Sequence, residues 1–175
     1  FPAGFDYTMY SGGYCDADGN LYLFSRDTDR PIVVLDAEGS YVRDFGKGLF
    51  KEVHSLCVTP NNTLLCTDTA LHVVRELSME GELIRDFGNL GVPSDSGYEK
   101  DVWRRMMREG KIVATDLAFD KGWSFWMSIQ TIKRAAPPFN RPTGVAVGPQ
   151  GDIFVSDGYG NAAIHRFAPD GTLLK

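Results

Sequence analysis

Three side chains in this 175-residue sequence combine a reactive type with a setting that could hold it still: His54, Arg26 and Tyr159. His54 lies in Glu52-Val53-His54-Ser55-Leu56, at the start of a short apolar strand. An imidazole so placed can ligate a metal or carry a proton near neutral pH; the plainer alternative is a hydrogen-bonded structural histidine. Arg26 follows Leu23-Phe24-Ser25, where strand gives way to loop. Its planar guanidinium suits a carboxylate ligand, against the alternative of a weak surface ion pair with Asp27 or Asp29. Tyr159 stands between two glycines in Asp157-Gly158-Tyr159-Gly160-Asn161, a loop tip rather than a strand interior. A phenol there acts as a general base once a nearby cation or metal lowers its pKa. Asp157 is expected to brace the turn through its own backbone contacts.

The elements that must position these residues are repeats. Arg43-Asp44-Phe45-Gly46 recurs as Arg85-Asp86-Phe87-Gly88, 42 positions later. Paired strand signals recur with it: Leu21-Tyr22-Leu23-Phe24 before Val33-Val34-Leu35, Thr63-Leu64-Leu65-Cys66 before Leu77-Ser78-Met79, and Ile153-Phe154-Val155 before Phe167-Ala168-Pro169. Apolar residues alternate with a period of two, which excludes helical repeats. Glycines at 19, 39, 81, 151 and 171 sit where tight hairpins need them. A strand-rich unit of this length is the mark of propeller blades. A blade cannot bury both faces alone, so neighbours stack around an axis. Three blades do not close a ring of the usual ~4–8. The fold class expected is therefore all-β: a β-propeller, about half present, whose inner strands would point His54 toward the axial channel.

The expected division is 1–90 for two blades, 91–138 for an insertion and 139–175 for an incomplete third blade. In the insertion, Val102 and Met106 recur at helical spacing from Tyr98 to Lys111, with Asp95 or Ser96 as caps and Gly110 as the stop. From Lys111 to Ile132 a hairpin is preferred over a degenerate blade suggested by Thr115-Asp116-Leu117-Ala118-Phe119. Trp103, Trp123, Phe125 and Trp126 either cover a ligand or partner or pack the insertion onto its own blade.

Composition narrows the partners. A net charge of −5 argues against a nucleic-acid surface, and Arg104, Arg105, Arg108 and Lys111 read as a solvated helix face. With no apolar run of membrane length, a soluble chain with no membrane partner is expected. A start at Phe1 suggests that a leader or more precedes it. The compartment stays open, an extracytoplasmic one included. Cys15, Cys57 and Cys66 are odd in number and lack metal spacing, and are read as buried free thiols.

Phe139-Asn140-Arg141-Pro142-Thr143-Gly144-Val145-Ala146-Val147 with Ile153-Phe154-Val155-Ser156-Asp157-Gly158-Tyr159-Gly160-Asn161, together with Val53-His54-Ser55-Leu56 and Thr67-Asp68-Thr69-Ala70-Leu71-His72-Val73-Val74, closely resembles the peptidyl-α-hydroxyglycine α-amidating lyases. The resemblance spans nearly the whole chain apart from the insertion. It implies a six-bladed propeller of NHL repeats with zinc held by three His and a nearby calcium, acting on peptidyl-α-hydroxyglycine (carbinolamide) substrates to release an amide and glyoxylate. It further implies that His54 is a zinc ligand, Tyr159 the base and Arg26 a catalytic arginine, with the carbonyls of Leu56 and Gly13 binding calcium; His72 receives no metal. The other zinc histidines, a second arginine and a calcium-binding aspartate belong to blades outside this sequence. Asn140 and Gly160 stand where animal members carry a cysteine pair, so the chain resembles a bacterial-type relative without that bridge. The partners expected are a small-molecule or peptide substrate, or a second chain completing the ring. The rival reading is a non-catalytic propeller that binds a protein or small-molecule ligand.

Overall fold

The computed structural model describes residues 8–113 and 121–175. Tyr10–Cys15 (β1), Leu21–Ser25 (β2), Ile32–Leu35 (β3) and Tyr41–Phe45 (β4) form one antiparallel sheet in chain order. Val53–Val58 (β5), Thr63–Asp68 (β6), Val73–Ser78 (β7) and Leu83–Gly88 (β8) repeat it. Gly144–Val147 (β9), Ile153–Asp157 (β10) and Ala163–Phe167 (β11) begin a third, in which Leu173 bridges to Phe167 where a fourth strand starts. These are propeller blades, each with its first strand innermost. All five hairpin glycines have positive φ, and Asn62, in the corresponding turn of the second blade, takes φ 54 in their place.

The period-two alternation decides which face meets which neighbour. On β6, Leu64 and Cys66 face the first blade with Tyr22, Phe24, Ile32 and Val34. Leu65, between them, faces the third blade with Val74, Phe87, Phe139, Val155 and Phe167. Leu64 and Leu65 are both fully buried, and each such side chain stabilises the fold by roughly 1.5–3 kcal/mol. The middle blade is thus cemented on both faces.

The repeated Arg-Asp-Phe-Gly segment works as a latch between blades. Arg43 lies over the Phe45 ring, 4.9 Å from its centroid, and donates to the Met79 carbonyl of the next blade at 2.5 Å. Arg85 lies over Phe87 at 4.6 Å and donates to the Asp170 and Pro169 carbonyls at 2.7 and 2.8 Å, while its Nε pairs with Glu76 at 2.6 Å. The receiving turns need glycine for space as well as φ: a Cβ at Gly81 would lie 2.5 Å from the Phe45 ring. A Cβ on Gly39, the same position in the first blade, would meet nothing within 4 Å.

Between the second and third blades the chain forms helices Val102–Arg108 (α1) and Lys121–Ile129 (α2), which pack together. The second replaces the hairpin expected within 111–132; Thr115–Phe119 lie outside the described residues. The helix wins because Phe125, Ser128 and Ile129 share one inward stripe at i, i+3 and i+4, while Trp126 stays 61% exposed. Neither Asp95 nor Ser96 caps α1. The helix starts later, behind Asp101 at φ 54, which makes no side-chain cap bond, and Ser96 is buried elsewhere. Gly110 does end it, with φ 68 and its N–H on the Met107 carbonyl. Arg104 and Arg105 of α1 pair with Asp101, Glu99 and Glu109, and Lys111 beyond it also reaches Glu109. Cys57 and Cys66 are buried free thiols, the first pushed up to about 11 by burial, but Cys15, expected to be buried, is exposed. Among the described residues no helix is long and apolar enough to cross a membrane.

Arg85→Ala is expected to lower the unfolding free energy by about 1–3 kcal/mol. Arg85→Lys should recover only part of that loss, because an ammonium cannot span a carboxylate and two carbonyls at once. Urea unfolding of the two variants checks both statements.

Candidate active site

His54 and Tyr159, 105 positions apart, meet: His54 Nε2 lies 2.9 Å from the Tyr159 hydroxyl, and the rings stack edge to face at 5.2 Å. Local structure aims each one. The register of β5 against β6 slips between Val53 and Leu56, so His54 and Ser55 form a bulge. Thr67 fastens that bulge, accepting the Ser55 N–H at 2.8 Å and donating to the Ser55 carbonyl at 3.1 Å.

Tyr159 rides on the β10–β11 turn, which a buried polar network clamps. Asp157, fully buried, accepts the Asn140 N–H at 2.6 Å and the Asn161 side chain at 2.8 Å. It therefore braces the loop across to Asn140 rather than through its own turn alone. Ser96 donates to the Gly160 carbonyl, and Asn140 donates to Ser96 at 3.1 Å, sewing the base of the insertion to the turn. Gly160 is packed against Asn140, where a Cβ would come within 2.4 Å of both the backbone and side-chain oxygens. From α2, Phe125 packs edge-on against Tyr159 at 4.9 Å.

Charges surround the pair. Arg26 raises the potential at His54 and makes no ion pair with Asp27 or Asp29, the latter being held by Lys47 at 2.9 Å. Arg26, Lys51, Glu52 and Val53 help line a cavity of about 320 Å³. Two further residues, Arg141 and Glu52, belong to the site though neither stood out in the sequence. Each lies just before an inner strand, which is the positional signal that could have found them. Arg141 Nη2 lies 3.3 Å from Glu52, and its backbone N–H donates to His72 Nδ1 at 3.1 Å. Burial holds the His54 and His72 imidazoles below their ordinary value of 6.5; Arg26 and Arg141 push His54 the same way, as Arg141 does His72.

Leu56 lies two residues beyond His54 on β5, beside β1, which carries Gly13. Among the described residues no group of three His, Cys, Asp or Glu side chains is arranged to hold a metal ion. His54 is a single imidazole in this respect, so the residues described here do not by themselves fit a zinc. A larger cavity of about 610 Å³ lies along the inner strands by Tyr14, Cys57 and Val147, without His54 or Tyr159.

The fold and this site define a stretch of NHL-type β-propeller, and residues 139–167 match the NHL repeat. The chain resembles the peptidyl-α-hydroxyglycine α-amidating lyases. It is 25% identical over 147 residues to a probable member of Caenorhabditis elegans and 29% identical over 145 residues to peptidyl-α-hydroxyglycine α-amidating lyase 1 of Drosophila melanogaster. These alignments cover 83% and 82% of this chain but only 31% and 20% of the relatives' lengths. Among solved structures, virginiamycin B lyase of Staphylococcus aureus is similar with a TM-score of 0.55 at 15% identity, over 95% of this chain and 40% of that one. A chain of the nidogen/laminin complex scores 0.55 at 14% identity, over 94% and 46%. These two likenesses bear on the fold alone.

Two outcomes are expected. Because both imidazoles are harder to protonate folded than unfolded, stability is intact above about pH 6.5 and is lost as pH falls from there through the depressed values. Urea unfolding between pH 8 and 5 should show that decline, and His54→Gln should flatten it. Gly160→Ala, which drives a methyl into Asn140, should cost about 1–3 kcal/mol in the same assay.

Proposed function

We propose that the chain is part of a lyase-like propeller that cleaves peptidyl-α-hydroxyglycine-type carbinolamides to an amide and glyoxylate. The observation that carries the reading is the 2.9 Å contact between His54 and Tyr159. The Thr143 backbone acts on His54 in the sense that favours a protonated ring. The ring nitrogen facing Thr143 then holds the proton, which leaves Nε2 free to accept from the phenol. With its pKa held down, His54 stays neutral at pH 7 and can take the Tyr159 proton.

The phenol oxygen then accepts the proton of the substrate hydroxyl. That O–H electron pair becomes the new C=O, the C–N bond breaks, and the departing amide nitrogen takes the proton that His54 received, returning the pair to its starting state. Arg26, without an ion pair to Asp27 or Asp29, supplies a fixed positive charge for the substrate carboxylate. Zinc and calcium enter this proposal only for a whole propeller. There the Nε2 lone pair of His54 could serve either zinc or Tyr159 but not both, and the Leu56 and Gly13 carbonyls would bind calcium. A zinc shell needs about three protein ligands or more, so further blades, from a longer chain or a second copy, would have to supply the rest. No step above runs through either metal.

A second reading, a non-catalytic propeller binding a peptide or small molecule, is favoured by Phe125 packed on Tyr159 and by the exposed Trp126 beside it. Glyoxylate release from an N-acyl-α-hydroxyglycine by the full-length protein separates the two. Tyr159→Phe is expected to lower kcat by roughly 10²–10⁴ with KM little changed. No glyoxylate would leave the binding reading standing, whereas full turnover in that variant would remove Tyr159 from the reaction.

A further inference from the structure

We infer that Arg141 is a second carboxylate-gripping residue beside Arg26, and that Glu52 occupies its guanidinium in the free protein as a stand-in for the ligand's carboxylate. The inference deepens the proposed function and rests on that reading's placement of the site. Three features of Arg141 carry it.

Its side chain is only 13% exposed, yet its contacts with Glu52 are long, 3.3 and 3.5 Å, and neither is the short two-pronged pairing that a guanidinium makes with a committed carboxylate. Its Nε is buried with no hydrogen-bond partner among the described residues, so the fork is only partly satisfied. Leaving such a donor buried and unpaired is unfavourable, and a ligand oxygen would relieve it. Finally, the backbone of Arg141 sits at φ 69, in the left-handed region, pinned there by the N–H bond to His72. A non-glycine residue held in that conformation reflects a position dictated by its surroundings.

The placement fits a small anion. Arg26 and Arg141 both act on His54, as does Glu52 with the opposite sign. Glu52 also lines the 320 Å³ cavity with Arg26. A carboxylate entering that cavity meets Arg26 at once and competes with Glu52 for Arg141. The ligand class is a short α-hydroxy or α-oxo carboxylate, bound by its charge.

The two partners of Arg141 predict opposite effects, and a structural salt bridge would not. Calorimetric titration of the intact protein with sodium glycolate, with neutral glycolamide as the control, reads them out. Arg141→Met should weaken glycolate binding about tenfold or more, Arg141→Lys should weaken it less, and Glu52→Gln should tighten it severalfold, while glycolamide binds none of them measurably. Circular dichroism of each variant verifies folding. Binding that ignores Arg141→Met and Arg141→Lys, binding weakened by Glu52→Gln in a folded protein, or no glycolate binding by the unaltered protein would each overturn the inference. Glyoxylate release that depends on Tyr159 but not on Arg141 would overturn it while leaving the proposed reaction intact.

Discussion

Everything at the candidate site depends on the packing of the second blade against the third. Phe87, Phe139 and Phe167 meet at that seam, with centroids 5.5–5.7 Å apart, around Leu65, Val74 and Val155. The seam brings β5 alongside β9, and with it His54 within reach of Tyr159. The Arg85 latch clamps the same seam at its outer rim, where Phe87 serves both the core and the cation above it. A site assembled from two blades is therefore only as well placed as the interface between them. Contact packing of this kind holds position to fractions of an ångström, which proton transfer demands.

The insertion serves that interface rather than hanging from it. Its base is fixed by Ser94, Ser96 and Ala136, bonded to Asn140, Gly160 and Asn161. Buried polar groups pair in a low dielectric, where each satisfied bond rigidifies its neighbours. The result fixes both strands of the Tyr159 loop from one side, while Phe125 closes on the ring from above. Asn140 fills the space against Gly160 and donates to Ser94 and Ser96.

Electrostatics sets the working state of the pair. His54 sits half-buried and feels two arginines and one glutamate, and burial is the larger influence on its proton. A neutral imidazole next to a phenol lets the phenol proton move within a close pair without creating an isolated buried charge.

The blades, their order and their turns could be read from the sequence, because period-two alternation and glycine at positive φ are local rules that each segment obeys by itself. His54, Arg26 and Tyr159 were legible as types in promising settings for the same reason. What the sequence left open was everything decided at a distance. α2 took the place of a hairpin because a helical stripe of Phe125, Ser128 and Ile129 packs inward, which short apolar runs do not announce. Ser96 abandoned a helix cap for a buried bond to Gly160, since satisfying a carbonyl inside the core outweighs capping at the surface. The His54–Tyr159 contact and the Arg141–Glu52 contact came only from stacking one blade on the next. Side chains separated by about a hundred residues share a site only when tertiary packing closes the space between them, and no local pattern encodes that distance.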